Sequence, residues 1–174
     1  PTRRTSDLRE YVYDGEKQIS MLEFPELKEN CIIINSESKR YSMCGVRIGF
    51  LVTRSQSLHN AAMLFAQARL SPVLIGQILA TAAHNDDAEY IKSVREEYTK
   101  RRNLLVELLN EIPGVKCPKP KGAFYCVAEL PVEDADDFAQ WMLESFSHNG
   151  ETVMVAPASG FYSQPELGKK QVRI

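Results

Sequence analysis

The sequence predicts an α/β fold: the end of a sheet, a helical stretch, then a smaller α+β unit. Three observations predict it. Two short apolar runs, Cys31-Ile32-Ile33-Ile34 and Ile48-Gly49-Phe50-Leu51-Val52-Thr53, lie at a spacing that suits neighbouring strands. Helical periodicity then extends from Gln56 to Ile112. Beyond Pro113-Gly114 the pattern changes to short strand-like runs around one helix.

Taken in order, Asp14-Gly15 is a turn signal, and Phe24-Pro25-Glu26-Leu27 with Asn30 reads as a connecting turn. The run that follows is β-branched and uncharged, so it is expected to be a fully buried strand. Residues 35–49 place Lys39 just past the carboxyl end of that strand and eight residues before Arg47. The chemistry that suits this arrangement is Schiff-base formation on an aldehyde that also carries a phosphate. Lys39 supplies the amine, Ser36 and Ser38 supply hydroxyl donors, and Arg47 supplies a planar fork of N–H groups matched to phosphate oxygens. Gly45 and Gly49 allow the backbone to bend tightly around the anion.

A helix is predicted from about Gln56 to Leu70. Ser71 then reads as the N-cap, and Pro72 as the first residue, of a helix over Val73–His84 that is apolar on most faces and therefore expected to be buried. Asn85-Asp86-Asp87 opens the longest helix, which runs to Ile112 and is stopped by Pro113-Gly114. Its apolar stripe is Ile91, Val94, Tyr98, Leu105, Leu108 and Ile112. At ~1.5 Å per residue it is ~40 Å long, enough to cross between subdomains. The expected boundary therefore lies at its start, with residues 1–86 on one side and 87–174 on the other. In the second part, Gly122–Ala128 and Thr152–Ala156 read as strands and Ala135–Ser147 as a helix with acids at its start. Its Phe138, Met142 and Phe146 stripe reads as core.

Composition narrows the function classes. The 174 residues are 44% hydrophobic and 25% charged, enough for one or two small cores. No run approaches a membrane span and no secretory pattern opens the chain, so the expected location is cytoplasmic, with no membrane partner. The net charge is −2 and the basic residues are interspersed with acidic ones, which argues against nucleic acid. Cys31, Cys44, Cys117 and Cys126 show no metal-binding spacing and read as buried free thiols in a reducing compartment, so no metal is expected.

The pattern Ser36-x-Ser38-Lys39-x5-Gly45-x-Arg47-x-Gly49 resembles the cofactor-lysine signature of class I (fold-type I) aminotransferases, the aspartate aminotransferase-like enzymes that use pyridoxal 5′-phosphate. Six fixed residue types match by chance on the order of 10⁻⁷ per window, which makes the motif specific. Glu37 departs from it, standing where the family usually carries an apolar or aromatic residue; different packing before the lysine, or an outward-turned side chain, is the expected consequence. Lys121–Tyr125, Val155–Tyr162 and Val172-Arg173-Ile174 resemble pieces of the family's small domain.

The resemblance implies the C-terminal part of the transferase fold. Residues 1–86 would be the remnant of the large cofactor-binding domain, and 87–174 the connecting helix and small domain. It implies that Lys39 holds pyridoxal 5′-phosphate as a Schiff base, that Ser36, Ser38 and Arg47 contact the cofactor, and that Arg173 grips the substrate's α-carboxylate. An amino group would pass from an amino acid, aspartate or a relative, to a 2-oxo acid, in a homodimer. The family's Ser-Asp-Glu-x-Tyr segment is broken here: Asp7 is a candidate for the ring-nitrogen partner, and no residue matches the ring-hydroxyl tyrosine. The family's phosphate loop, stacking aromatic and asparagine are not identifiable, so the expectation is a fragment truncated on both sides. Two alternatives stay open: a lyase of the same fold, and a domain that folds without functional cofactor binding.

Overall fold

Strand β1 (Ile32–Ser36) pairs antiparallel with β2 (Gly49–Thr53), in a register that sets Ile34 against Leu51 and Ser36 against Gly49. β-Branched residues in β1 suit this pleated pairing. In the computed structural model residues 8–85 and 88–174 are described; Asp7 and the expected Asp86-Asp87 helix start lie outside them. The chain divides into two units, one running to Glu96 together with Lys121–Ala123, the other comprising Glu97–Pro120 and Phe124–Ile174.

In the first unit a single helical turn, α1 (Glu37–Arg40), follows β1 directly, and a 3₁₀ turn over Cys44–Val46 leads the chain back to β2. Helices α2 (Gln56–Arg69) and α3 (Leu74–Asn85) follow, and α4 (Ala88–Glu111) begins here. Tyr11 and Tyr13 are buried on either side of Val12, which bridges Gly122, and the Ala123 amide donates to the Tyr11 carbonyl at 2.8 Å.

Two expectations of burial are corrected. Ile33 is buried, but Ile34 is 48% exposed, because β1 pairs only with β2 among the described residues and one sheet face has no cover. In α3 only Gly76 and Ala80 are buried, while Leu74, Ile75 and Ile78 are exposed. Its packing is confined to the line through Gly76, where a Cβ would come within 2.9 Å of the Val46 carbonyl oxygen. Nor is Pro72 the first helical residue: α3 begins at Leu74, with the Gln77 side chain donating to the Pro72 carbonyl.

The second unit holds β3 (Val127–Glu129), α5 (Ala135–Glu144), β4 (Ala156–Pro157) and β5 (Gln171–Arg173), the strands forming an antiparallel sheet in the order β3-β5-β4. Asp134 caps α5 by accepting from the Asp136 amide, as acids at a helix start should. The core gathers Val115, Cys117, Cys126, Ala128, Ala135 and Val172 beneath Leu105, Val106 and Leu109 of α4. The expected α4 stripe holds through Leu105 and departs beyond it: Leu108 and Ile112 are exposed while Val106 and Leu109 turn to the core, and Arg102 is buried, donating to the Pro120 carbonyl and to Asn103. Both expected strands of this unit are shorter than their apolar runs, the continuous strands being Val127–Glu129 and Ala156–Pro157.

Candidate active site

The Ser36–Gly49 pairing closes the loop that carries the candidate residues. Ser36 leaves β1 in an extended conformation and caps α1, its Oγ accepting from the Ser38 amide at 3.3 Å. Lys39 follows in the same turn. The Glu37 amide donates to the Ile48 carbonyl at 3.1 Å, which stitches the two ends of the loop together. Gly49 is required by close approach, since a Cβ there would lie 3.0 Å from the Asn35 carbonyl oxygen. Gly45 faces open space, with nothing within 4 Å of a Cβ built on it.

Lys39 is half-buried, and among the described residues its amine makes no hydrogen bond or ion pair; the hydroxyl of Ser38 likewise has no protein partner. Arg47 is exposed and holds φ 61°, ψ 38°, a left-handed conformation that a side chain with a Cβ adopts at a cost of about 1–2 kcal/mol. One N–H of its guanidinium donates to the Cys44 carbonyl at 2.8 Å, and no carboxylate pairs with it among the described residues. A primary amine, a hydroxyl and an uncompensated guanidinium on one loop form a donor set with no acidic partner. Such a set suits a ligand that brings both an anion and a carbonyl carbon.

The Lys39 turn is anchored from beneath by Glu37 and by Tyr11, His84 and Tyr41, three residues that sequence reasoning did not single out. The Tyr11 phenol donates to the Lys39 backbone carbonyl at 2.8 Å. Glu37 is 2% exposed and turns inward, correcting the outward alternative; its Oε1 lies 3.0 Å from His84 Nε2, and His84 Nδ1 lies 3.2 Å from the Tyr41 phenol. The alternation of Tyr11, Val12 and Tyr13 was a legible signal for the first of these, because tyrosines two apart share one face of an extended segment. Nothing local pointed to His84, which is 47 residues from Glu37 in sequence.

Arg173 belongs to the second unit. It lies on β5, opposite Val127 and Ala156, and its guanidinium sits 4.9 Å from the Tyr125 ring centroid and 4.5 Å from that of Phe161. The two rings hold the side chain by cation–π contact, and no carboxylate engages it among the described residues. Its donors therefore remain available to an incoming carboxylate.

The aminotransferase class I and II family model matches residues 10–173. The aspartate aminotransferase of Bacillus subtilis is 35% identical over 159 residues, an alignment covering 87% of this chain and 39% of that protein. The aspartate aminotransferase of Pyrococcus horikoshii is 30% identical over 168 residues, covering 94% of this chain and 40% of the relative. Among solved structures, the aromatic aminotransferase of Pyrococcus horikoshii superposes with a TM-score of 0.83 at 28% identity, over 99% of this chain and 44% of that one. The chain thus spans about two-fifths of the length of the curated relatives it matches.

Proposed function

The chain belongs to the class I and II aminotransferase family, and from that premise we propose that it carries the cofactor lysine and the substrate arginine of a pyridoxal 5′-phosphate-dependent aminotransferase. The observation that carries the reading is the half-buried Lys39 amine, without a protein partner among the described residues, on a loop shared with the Ser38 hydroxyl and the Arg47 guanidinium.

Lys39 is the amine for covalent attachment of the aldehyde, and Ser36, Ser38 and Arg47 hold the phosphate. When bound, pyridoxal 5′-phosphate supplies an electron sink that acidifies the substrate's Cα–H bond. Once displaced by the incoming amino group, Lys39 Nζ, with no carboxylate beside it among the described residues to hold it as an ammonium, would be the group that takes the proton from Cα. Arg173 receives the substrate's α-carboxylate through two parallel N–H donors, and its contacts with the Tyr125 and Phe161 rings restrict the direction of that fork. Holding the carboxylate in a set direction orients the substrate, which is where much of the rate of such a reaction originates. The substrates we propose are an amino acid, aspartate or a relative, and a 2-oxo acid. Assembly as a homodimer in the cytoplasm is proposed by analogy with the family.

One observation favours a second reading, that these residues fold without retaining the cofactor: the Arg47 guanidinium is exposed and spends one N–H on the Cys44 carbonyl. Titrating the chain with pyridoxal 5′-phosphate separates the two. The first reading predicts a visible absorbance band that is lost in Lys39→Ala; a folded chain that gives no band supports the second.

A further inference from the structure

We propose that Glu37, His84 and Tyr41 form a positioning network that fixes the turn bearing Lys39, with His84 held in its Nε2–H tautomer. The proposal rests on Lys39 being the cofactor lysine and assigns positioning roles to three residues around it. Glu37 opens α1 and Tyr41, four residues on, is its C-cap; both are buried on the inner side of the turn, while Lys39 stands midway between them. Both inner residues are buried, and both reach the same imidazole on α3.

The hydrogen-bond chemistry of this trio admits one neutral arrangement. A carboxylate only accepts, so the proton on the His84 nitrogen facing Glu37 is the donor. In the neutral ring the other nitrogen has a lone pair, and the Tyr41 O–H donates to it. The plane of the ring is fixed independently: the Tyr41 and Phe50 rings meet it edge-on, at centroid distances of 5.3 Å and 6.3 Å. On the far side of Tyr41, Tyr90 approaches to 6.2 Å and its phenol donates to Ser42 Oγ at 3.2 Å. The turn is thereby tied down on both sides of Lys39.

His84 is the sole side-chain partner of the Glu37 carboxylate among the described residues, for Oε2 makes no hydrogen bond. Burying a carboxylate with one partner is costly, and an apolar side chain of similar size would pack there at less cost. What the carboxylate supplies, and packing does not, is a fixed direction for α1 relative to α3. A second layer of hydrogen bonds beneath a reactive side chain sets its orientation in the same way.

The test pairs a spectroscopic measurement with variants. Long-range ¹H–¹⁵N correlation on histidine-labelled chain is expected to report His84 as the Nε2–H tautomer; an Nδ1–H tautomer or a doubly protonated ring overturns the proposal. Glu37→Leu is expected to be as stable as the parent chain or more so, yet to form the absorbance band with pyridoxal 5′-phosphate about tenfold more slowly. Glu37→Gln keeps an acceptor for His84 and is expected to recover most of that rate. A Glu37→Leu variant that forms the band at the parental rate overturns the proposal while leaving the reading of Lys39 intact. A parent chain that forms no band overturns both.

Discussion

The phenol of Tyr11 donates to the backbone carbonyl of Lys39 across 28 residues of sequence. A carbonyl near the end of a one-turn helix has no partner within that helix, so this phenol satisfies a group that would otherwise be stranded in a part-buried place. Tyr11→Phe is expected to destabilise the chain by about 1 kcal/mol, read as a lower urea midpoint at unchanged slope. An unmoved midpoint would show that water replaces the phenol without loss.

Arg47 separates backbone cost from ligand chemistry. Glycine adopts its left-handed conformation freely, so Arg47→Gly is expected to leave thermal stability equal or raised while weakening retention of pyridoxal 5′-phosphate by about 1.5–3 kcal/mol, the scale of a charge-assisted hydrogen bond. Arg47→Ala keeps the strain and loses the guanidinium. Equal cofactor affinity in the parent chain and both variants, measured by absorbance titration, would remove Arg47 from the phosphate site.

How far the sequence foretold this arrangement depended on whether the signal was local. The lysine at the end of a β-branched run, the start of α2 at Gln56 and the long α4 were legible because pattern and punctuation lie within one segment. The fate of Glu37 was not, because its partner His84 is on another helix and only packing brings the two together. The face that α4 presents was legible through Ile91, Val94, Tyr98 and Leu105 and misjudged beyond them, where Val106 and Leu109 pack on the core in place of Leu108 and Ile112. An apolar α3 announced that it needs cover without saying what supplies it.

Arg173 is expected to act through geometry as well as charge. Arg173→Lys retains the positive charge but cannot form two parallel bonds to a carboxylate, nor offer a planar cation to the Tyr125 and Phe161 rings. In a protein that turns over, it is expected to lose most of the efficiency lost by Arg173→Ala, chiefly as a raised half-saturation concentration for the amino acid. Full activity in the lysine variant would show that charge alone suffices.

Burial pushes the Cys126 thiol up to about 11, with the neighbouring Cys117, itself raised by burial, contributing. The folded chain therefore keeps this proton where the unfolded chain has lost it. The associated stability is complete below about pH 9, the ordinary thiol value, and lost as pH rises through about 11. Cys126→Ala is expected to flatten the alkaline limb of stability against pH. A thiol reagent at neutral pH should modify exposed Cys44 first and reach Cys117 and Cys126 only on unfolding.

The central claim is that Lys39 is the residue to which the cofactor attaches. Incubating the chain with pyridoxal 5′-phosphate, reducing with borohydride and mapping the peptides by mass tests it most directly. The pyridoxyl group is expected on the peptide containing Lys39, and not elsewhere at comparable yield. Label distributed over exposed lysines such as Lys92 and Lys121, with Lys39 unmodified, would contradict the claim.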